Sequence, residues 1–216
     1  MTATAAPSLT ALLEQNLRAL ALVDRDLVRR LLWPAGSDHV IARGDDAPSY
    51  RIYASLHPLA VSCEDCTTAA GLVTDGEDVF LFGLGLGELA AYLCRTLVKS
   101  RVIAWDRDPY LMRLALGAHD FTRAIRERRI RFSLGVDLIE EVERGTAWRT
   151  LSHPLLARVY THEKSLFDYG RSRPTRAALG LGGLLVDDLA LNLADEGYEV
   201  LPFDFENCKV HAFELE

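Results

Sequence analysis

Residues 79–108 constrain the fold more than any other part of the chain. The apolar run Val79-Phe80-Leu81-Phe82 leads into Gly83-Leu84-Gly85-Leu86-Gly87, and a helical pattern follows over residues 88–99. A second apolar run, residues 101–105, then ends in Asp106. Continuous apolar runs suit strands of a parallel sheet covered on both faces. Strand, glycine turn, helix and acid-ended strand, in that order, make the phosphate- or nucleoside-binding corner of a Rossmann-like domain.

Each part of that corner has a chemical reason. Glycine lets the backbone turn sharply and lets a ligand approach without meeting a Cβ. The free N–H groups that open the next helix favour polar or anionic ligand atoms. A carboxylate at Asp106 is placed to accept hydrogen bonds from both hydroxyls of a ribose. The spacing is G-x-G-x-G, not the G-x-G-x-x-G of dinucleotide binders, and so favours a nucleoside-like ligand. Asp137, after the third strand, is placed to reach an adenine-type amino group. The expected ligand-binding set is therefore Gly83, Gly85, Gly87, Asp106 and Asp137. The competing account is that the glycines only pack a helix tightly on a strand, and that Asp106 caps the helix beginning at Pro109.

The rest of the chain builds outward from this corner. Leucines at 9, 12, 13, 17, 20, 27, 31 and 32 recur at helical spacing, so residues 8–32 read as a helix or a close helix pair capped by Ser8. Trp33-Pro34 and Gly36 end it. Residues 39–42 and 50–55 read as short strands, the second ended by Pro58, and residues 63–72 as a short helix. Beyond the corner, residues 109–116 open a helix extending toward 127, residues 129–134 form a third core strand, and residues 137–143 a helix. Residues 155–160 are the expected fourth core strand, 167–183 a loop, 184–196 an amphipathic helix, and 199–205 with 209–215 a terminal antiparallel hairpin. The fold class is α/β: a Rossmann-like, mainly parallel sheet (residues 73–216) preceded by a helical and small β extension (residues 1–72).

Bulk properties limit the functions open to such a chain. Among its 216 residues, 49% are hydrophobic and 25% charged, the balance of a soluble globular protein. A net charge of -7 argues against nucleic acid as a partner, because phosphate-backbone contact needs a basic surface. Arg123, Arg126, Arg128, Arg129 and Arg131 form a local exception, read as a solvated helix end. Four cysteines do not make a disulfide scaffold at this length, and no signal-peptide pattern or membrane-length apolar run is found. The expectation is a cytoplasmic, reduced protein without a membrane partner.

Two resemblances follow from the corner. Gly83, Gly85, Gly87, Asp106 and Asp137 match the first motifs of class I S-adenosylmethionine-dependent methyltransferases. Leu81 departs from that family, which usually carries an acid there, and its acidic motif on the fourth strand is absent from residues 155–160. The run from Phe80 to Gly87 also resembles the glycine strand of the motility accessory factor and MptE-like group. It is similar, too, to the amino-terminal domain that precedes CgeB-type glycosyltransferase modules. Those proteins tend to have an apolar residue at the Leu81 position and a "Ser-x-x-x-Pro" type segment before the strand. Ser55 and Pro58 correspond to that segment, with two residues between them where the pattern has three, and the resemblance spans about residues 12–136. It implies a nucleotide- or nucleoside-binding, glycosyltransferase-associated module, which is a binding or interaction unit for a protein partner if it has no catalysis of its own. The methyltransferase resemblance implies S-adenosylmethionine instead of a nucleotide or nucleotide sugar, and a transferase acting on an acceptor. A third reading is a Rossmann scaffold without a working site.

Other chemistry-bearing residues carry less. Cys63-x-x-Cys66 has no second pair with which to build a four-ligand zinc site, and no metal is expected. His57, His153, His162 and Glu163 are loop candidates for acceptor-side chemistry. Asp187 and Asp188 open a helix, where the dipole alone accounts for acids.

Overall fold

The computed structural model describes residues 9–33, 37, 39–41, 48–143, 148–172, 198–200 and 212–214. Two helices come first, α1 (Leu9–Ala21) and α2 (Arg25–Leu32), with Asp24 capping the second by accepting from Leu27 N at 2.9 Å. The Ser8 cap lies outside the described residues. Three short strands, β1 (Val40–Ile41), β2 (Ser49–Ile52) and β3 (Ser55–Pro58), then form an antiparallel sheet in that order. Residues 50–55 were expected to be one strand; they divide because Tyr53 turns the chain with φ of 53°. Helix α3 (Cys63–Ala70) follows, capped by Ser62.

The central layer is a parallel sheet of β4 (Val79–Phe82), β5 (Val102–Asp106), β6 (Ile130–Leu134) and β7 (Arg149–Ser152), in the order β6-β5-β4-β7. Between its strands run α4 (Glu88–Thr96), α5 (Pro109–Ala118), α6 (Thr122–Arg126) and α7 (Asp137–Glu143). The architecture is α/β and Rossmann-like, as the sequence implies. The strand period of two sorts side chains onto two faces. Val79, Leu81, Val102, Ala104, Ile130 and Phe132 join a core with α1, α4, α5 and α6, whereas Phe80, Phe82 and Trp105 join Trp148, Leu156, Tyr160 and Phe167 on the other face.

Residues 155–160 are not the fourth strand. They hold the short helix α8 (Leu156–Val159), and Arg149–Ser152 fills the place beside β4 instead. The strand has little apolar signal because only Leu151 of its four residues is buried. Helix α9 (Thr161–Ser172) likewise occupies part of the region expected to be a loop. At the carboxyl end β8 (Tyr198–Val200) pairs antiparallel with β9 (Ala212–Glu214), as expected of residues 199–205 and 209–215, the remainder of which lie outside the described residues. The expected helix at 184–196, with Asp187 and Asp188, lies outside the described residues.

The amino-terminal helices share the core of the sheet. Asn16, fully buried on α1, donates from Nδ2 to Leu116 O and His119 O, both at 2.7 Å. Its Oδ1 accepts from Phe121 N at 2.9 Å and Thr122 Oγ1 at 3.3 Å. One side chain thus satisfies four groups at the α5–α6 corner, as a buried amide must to avoid a desolvation penalty.

Candidate functional site

The turn from β4 to α4 lies at the carboxyl end of the sheet, where ligands of open α/β folds bind. Gly83, Gly85 and Gly87 have φ of 81°, 59° and 89°, values that L side chains rarely adopt. Asp106, at the end of β5, holds this turn from beneath. Its Oδ2 accepts from Leu84 N at 2.8 Å and Gly85 N at 3.2 Å, and its Oδ1 from Asp108 N and Tyr160 Oη, both at 3.0 Å. The side chain is fully buried, and burial pushes its carboxyl up to about 6, against the pull of those four donors. Both oxygens are therefore engaged by the chain itself. The cap at Pro109 is made by Asp108, which accepts from Tyr110 N at 2.8 Å.

The turn is covered by the segment after β7. A Cβ built on Gly85 would lie 2.5 Å from His153 Nε2, and one on Gly83 would lie 2.8 Å from Leu156 Cβ. On Gly87 the nearest neighbour would be Ala115 Cβ at 3.0 Å. His153 is buried, with Nδ1 facing Leu155 N and Leu156 N, each at 3.2 Å, and Nε2 3.0 Å from Leu59 O. Two backbone N–H groups can share Nδ1 only if it carries a lone pair, which puts the ring proton on Nε2, donating to Leu59 O. Burial pulls the imidazole below its ordinary range; the Leu59 carbonyl acts in the opposite sense.

The α4 amino terminus carries a charge of its own. Glu88, its first residue, has an Oε2 that is buried without a hydrogen-bond partner. Burial raises its carboxyl, opposed by the backbone N–H groups of Glu88 and Val61. A phosphate brought to this helix end would meet the Glu88 side chain already there.

Asp137 follows the end of β6, beside Asp106 on β5, and is held by other residues. It pairs with Arg30 of α2, whose Nη1 lies 2.9 and 2.8 Å from its two oxygens, and accepts from Leu134 N at 3.1 Å. Glu163 does reach the corner's rim, accepting from Arg107 Nη1 at 3.0 Å. Arg107 lies 4.5 Å over the Tyr160 ring and donates to Tyr50 Oη at 3.4 Å. His57 sits opposite Tyr50 in the β2–β3 ladder, and His162 is exposed. Cys63 is exposed, Cys66 buried, and both are free thiols.

Arg107, Tyr50 and Tyr160 did not stand out in the sequence. Only Arg107 carried a signal, as the residue after the strand-ending acid. Among the described residues, no three His, Cys, Asp or Glu side chains come together as a metal set, and no helix is long and apolar enough to cross a membrane. A cleft of about 550 Å³ opens at the opposite, amino-terminal end of the strands, between Leu27, Arg101, Arg128, Arg131 and Trp148.

The parallel sheet, the three left-handed glycines and the acid-ended β5 define a Rossmann-like α/β domain. No protein-family model and no curated protein matches the chain. Among solved structures it is similar to a MAf glycosyltransferase from Magnetospirillum magneticum AMB-1, with a TM-score of 0.51 and 12% identity over 75% of this chain. The chain spans 35% of that protein's length, and the likeness is one of fold.

Proposed function

We propose that the chain is a glycosyltransferase-associated Rossmann-like module that takes the nucleoside part of a nucleotide sugar at the turn between β4 and α4. One observation carries this reading: three successive left-handed glycines are held from beneath by a buried acid, in a fold shared with a glycosyltransferase. Glycines 83 and 85 supply backbone that a ligand can approach once His153 and Leu156 move aside, and Arg107 with Glu163 supplies a polar rim. Asp106 then shapes the turn through Leu84 N and Gly85 N, and leaves ribose recognition to other groups. S-adenosylmethionine is less well supported, because Leu81 stands where its binders carry an acid.

The engagement of both Asp106 oxygens within the chain favours a second reading, a non-catalytic scaffold for protein interaction. Calorimetry with uridine, cytidine, guanosine and adenosine nucleotide sugars, and with S-adenosylhomocysteine, separates the two. The expected result is heat from one nucleotide sugar, weakened at least tenfold by Gly85→Val. No heat from any of them with folded protein overturns the ligand reading and leaves the scaffold. Heat from S-adenosylhomocysteine alone moves the assignment to methyl transfer.

A further inference from the structure

We propose that residues 153–160 form a displaceable plug over the glycine turn, and that protonation of His153 releases it. The proposal rests on the reading that this turn receives a ligand, and it concerns how the site is opened. The ring of His153 fills the volume that Gly85 leaves free, and Leu156 fills that beside Gly83. A ligand that uses these glycines must move both side chains. The segment is short: α8 has four residues between His153 and Tyr160.

His153 is what holds the plug's first turn. Its Nδ1 accepts from the two N–H groups that open α8, in the manner of a side-chain helix cap. A proton on Nδ1 converts that acceptor into a donor facing two donors, so the cap cannot persist in the imidazolium form. The other contact, Nε2–H to Leu59 O, survives protonation and gives the ring a pivot on the small sheet.

The surroundings offer the charged ring little compensation. Leu59 follows β3, whose titratable group is His57. Beneath the glycine turn lies Asp106, already taken by four donors, and at its α4 end Glu88, whose carboxyl is raised by burial and so loses its charge over the same acid range. Within the segment are Arg158 and Tyr160, and beyond it Glu163 is held by Arg107. Burial disfavours the charged ring, and the Leu59 carbonyl is the opposing influence. The neutral, plugged form therefore prevails at and above neutral pH, and the plug loosens as pH falls below the ordinary histidine range of about 6.5.

Hydrogen exchange on the full chain at pH 7.5 and 5.0, corrected for intrinsic rates, tests this. Protection of residues 155–160 is expected to fall at pH 5.0 while the core strands stay protected, the proton taken up by buried Asp106 in the same range offsetting part of the loss. In His153→Asn, which keeps an acceptor but cannot titrate, the drop should be absent. The His153 ring resonances of the unaltered protein, followed by NMR, should titrate in step with the loss, which provides a measure should the variant not fold. Equal protection at both pH values overturns the plug, as does an equal loss in the Asn variant. Running the nucleotide-sugar panel at both pH values separates this proposal from the one it rests on. Opening without binding leaves the plug standing and removes the ligand. Binding of equal strength at both pH values, without opening, does the reverse.

Discussion

Tyr160 donates its phenolic hydrogen to Oδ1 of Asp106 at 3.0 Å and so ties the chain ahead of α9 to the end of β5. The carboxyl has no further oxygen to offer, since Oδ2 is shared by Leu84 N and Gly85 N. Asp106→Asn keeps the shape but turns one oxygen into an amide that faces donors. Each buried donor left unpaired costs about 1–3 kcal/mol, partly offset at neutral pH because Asn carries no buried charge, and a net loss is expected. Tyr160→Phe removes a single bond and should lose about 1 kcal/mol. Urea denaturation of both variants and of the double mutant checks this. The Tyr160→Phe effect should shrink in the Asn background, and full additivity would contradict the shared network.

The glycine turn and the turn at Gly135 offer a matched comparison. Gly85 and Gly135 have φ of 59° and 60°, so alanine strains the backbone similarly at each, by about 1–2 kcal/mol. Their surroundings differ. The nearest atom to a Cβ on Gly135 is 4.0 Å away, whereas one on Gly85 meets the His153 ring. Gly85→Ala should therefore lower the urea midpoint well beyond Gly135→Ala. Adding His153→Ala to Gly85→Ala should recover part of the difference. Equal midpoints for the two alanine variants would show that His153 does not occupy that space.

Glu88 gives a pH dependence with a definite sign. Burial raises its carboxyl in the folded state. The folded chain therefore binds more protons than the unfolded one over the carboxyl's range, and stability falls as pH rises through the raised value. Glu88→Gln removes that dependence. It should raise the urea midpoint at pH 7.5, with the advantage shrinking on acidification toward pH 4.5. A variant less stable than the parent at pH 7.5 would mean that the carboxylate is stabilising where it lies.

What the sequence reveals follows from how each element is buried. Strands β4 and β5 could be read because both faces are covered, so almost every residue is apolar, and β6 because Ile130, Phe132 and Leu134 alternate with Arg131 and Ser133. β7 could not, because only Leu151 of its four residues is buried. The run Leu155-Leu156-Ala157-Arg158-Val159-Tyr160 resembles a strand in composition, yet His153 caps its first N–H groups and starts a helix. The glycines were legible as a turn; what covers them was not, because His153, Leu156 and Tyr160 reach the corner only through a fourth strand placed elsewhere. Asp137 pairs with Arg30, a partner more than a hundred positions away that no local pattern announces.

Asn16 shows how a residue with no motif can decide whether the helical extension holds. Its amide satisfies two carbonyls and two donors at the α5–α6 corner. Asn16→Ala strands all four in a buried place, and a loss of about 2–4 kcal/mol is expected. Asn16→Leu refills the volume but pairs none of them, and should recover little. Asn16→Asp restores the acceptor for Phe121 N while setting a carboxylate against Leu116 O and His119 O, so at pH 7.5 it should be the least stable of the three. Urea midpoints in the order Asn, Leu, Ala, Asp are the expected result. If the Leu variant matched the parent, packing alone would hold α1 on the sheet domain, and the four hydrogen bonds would contribute nothing net.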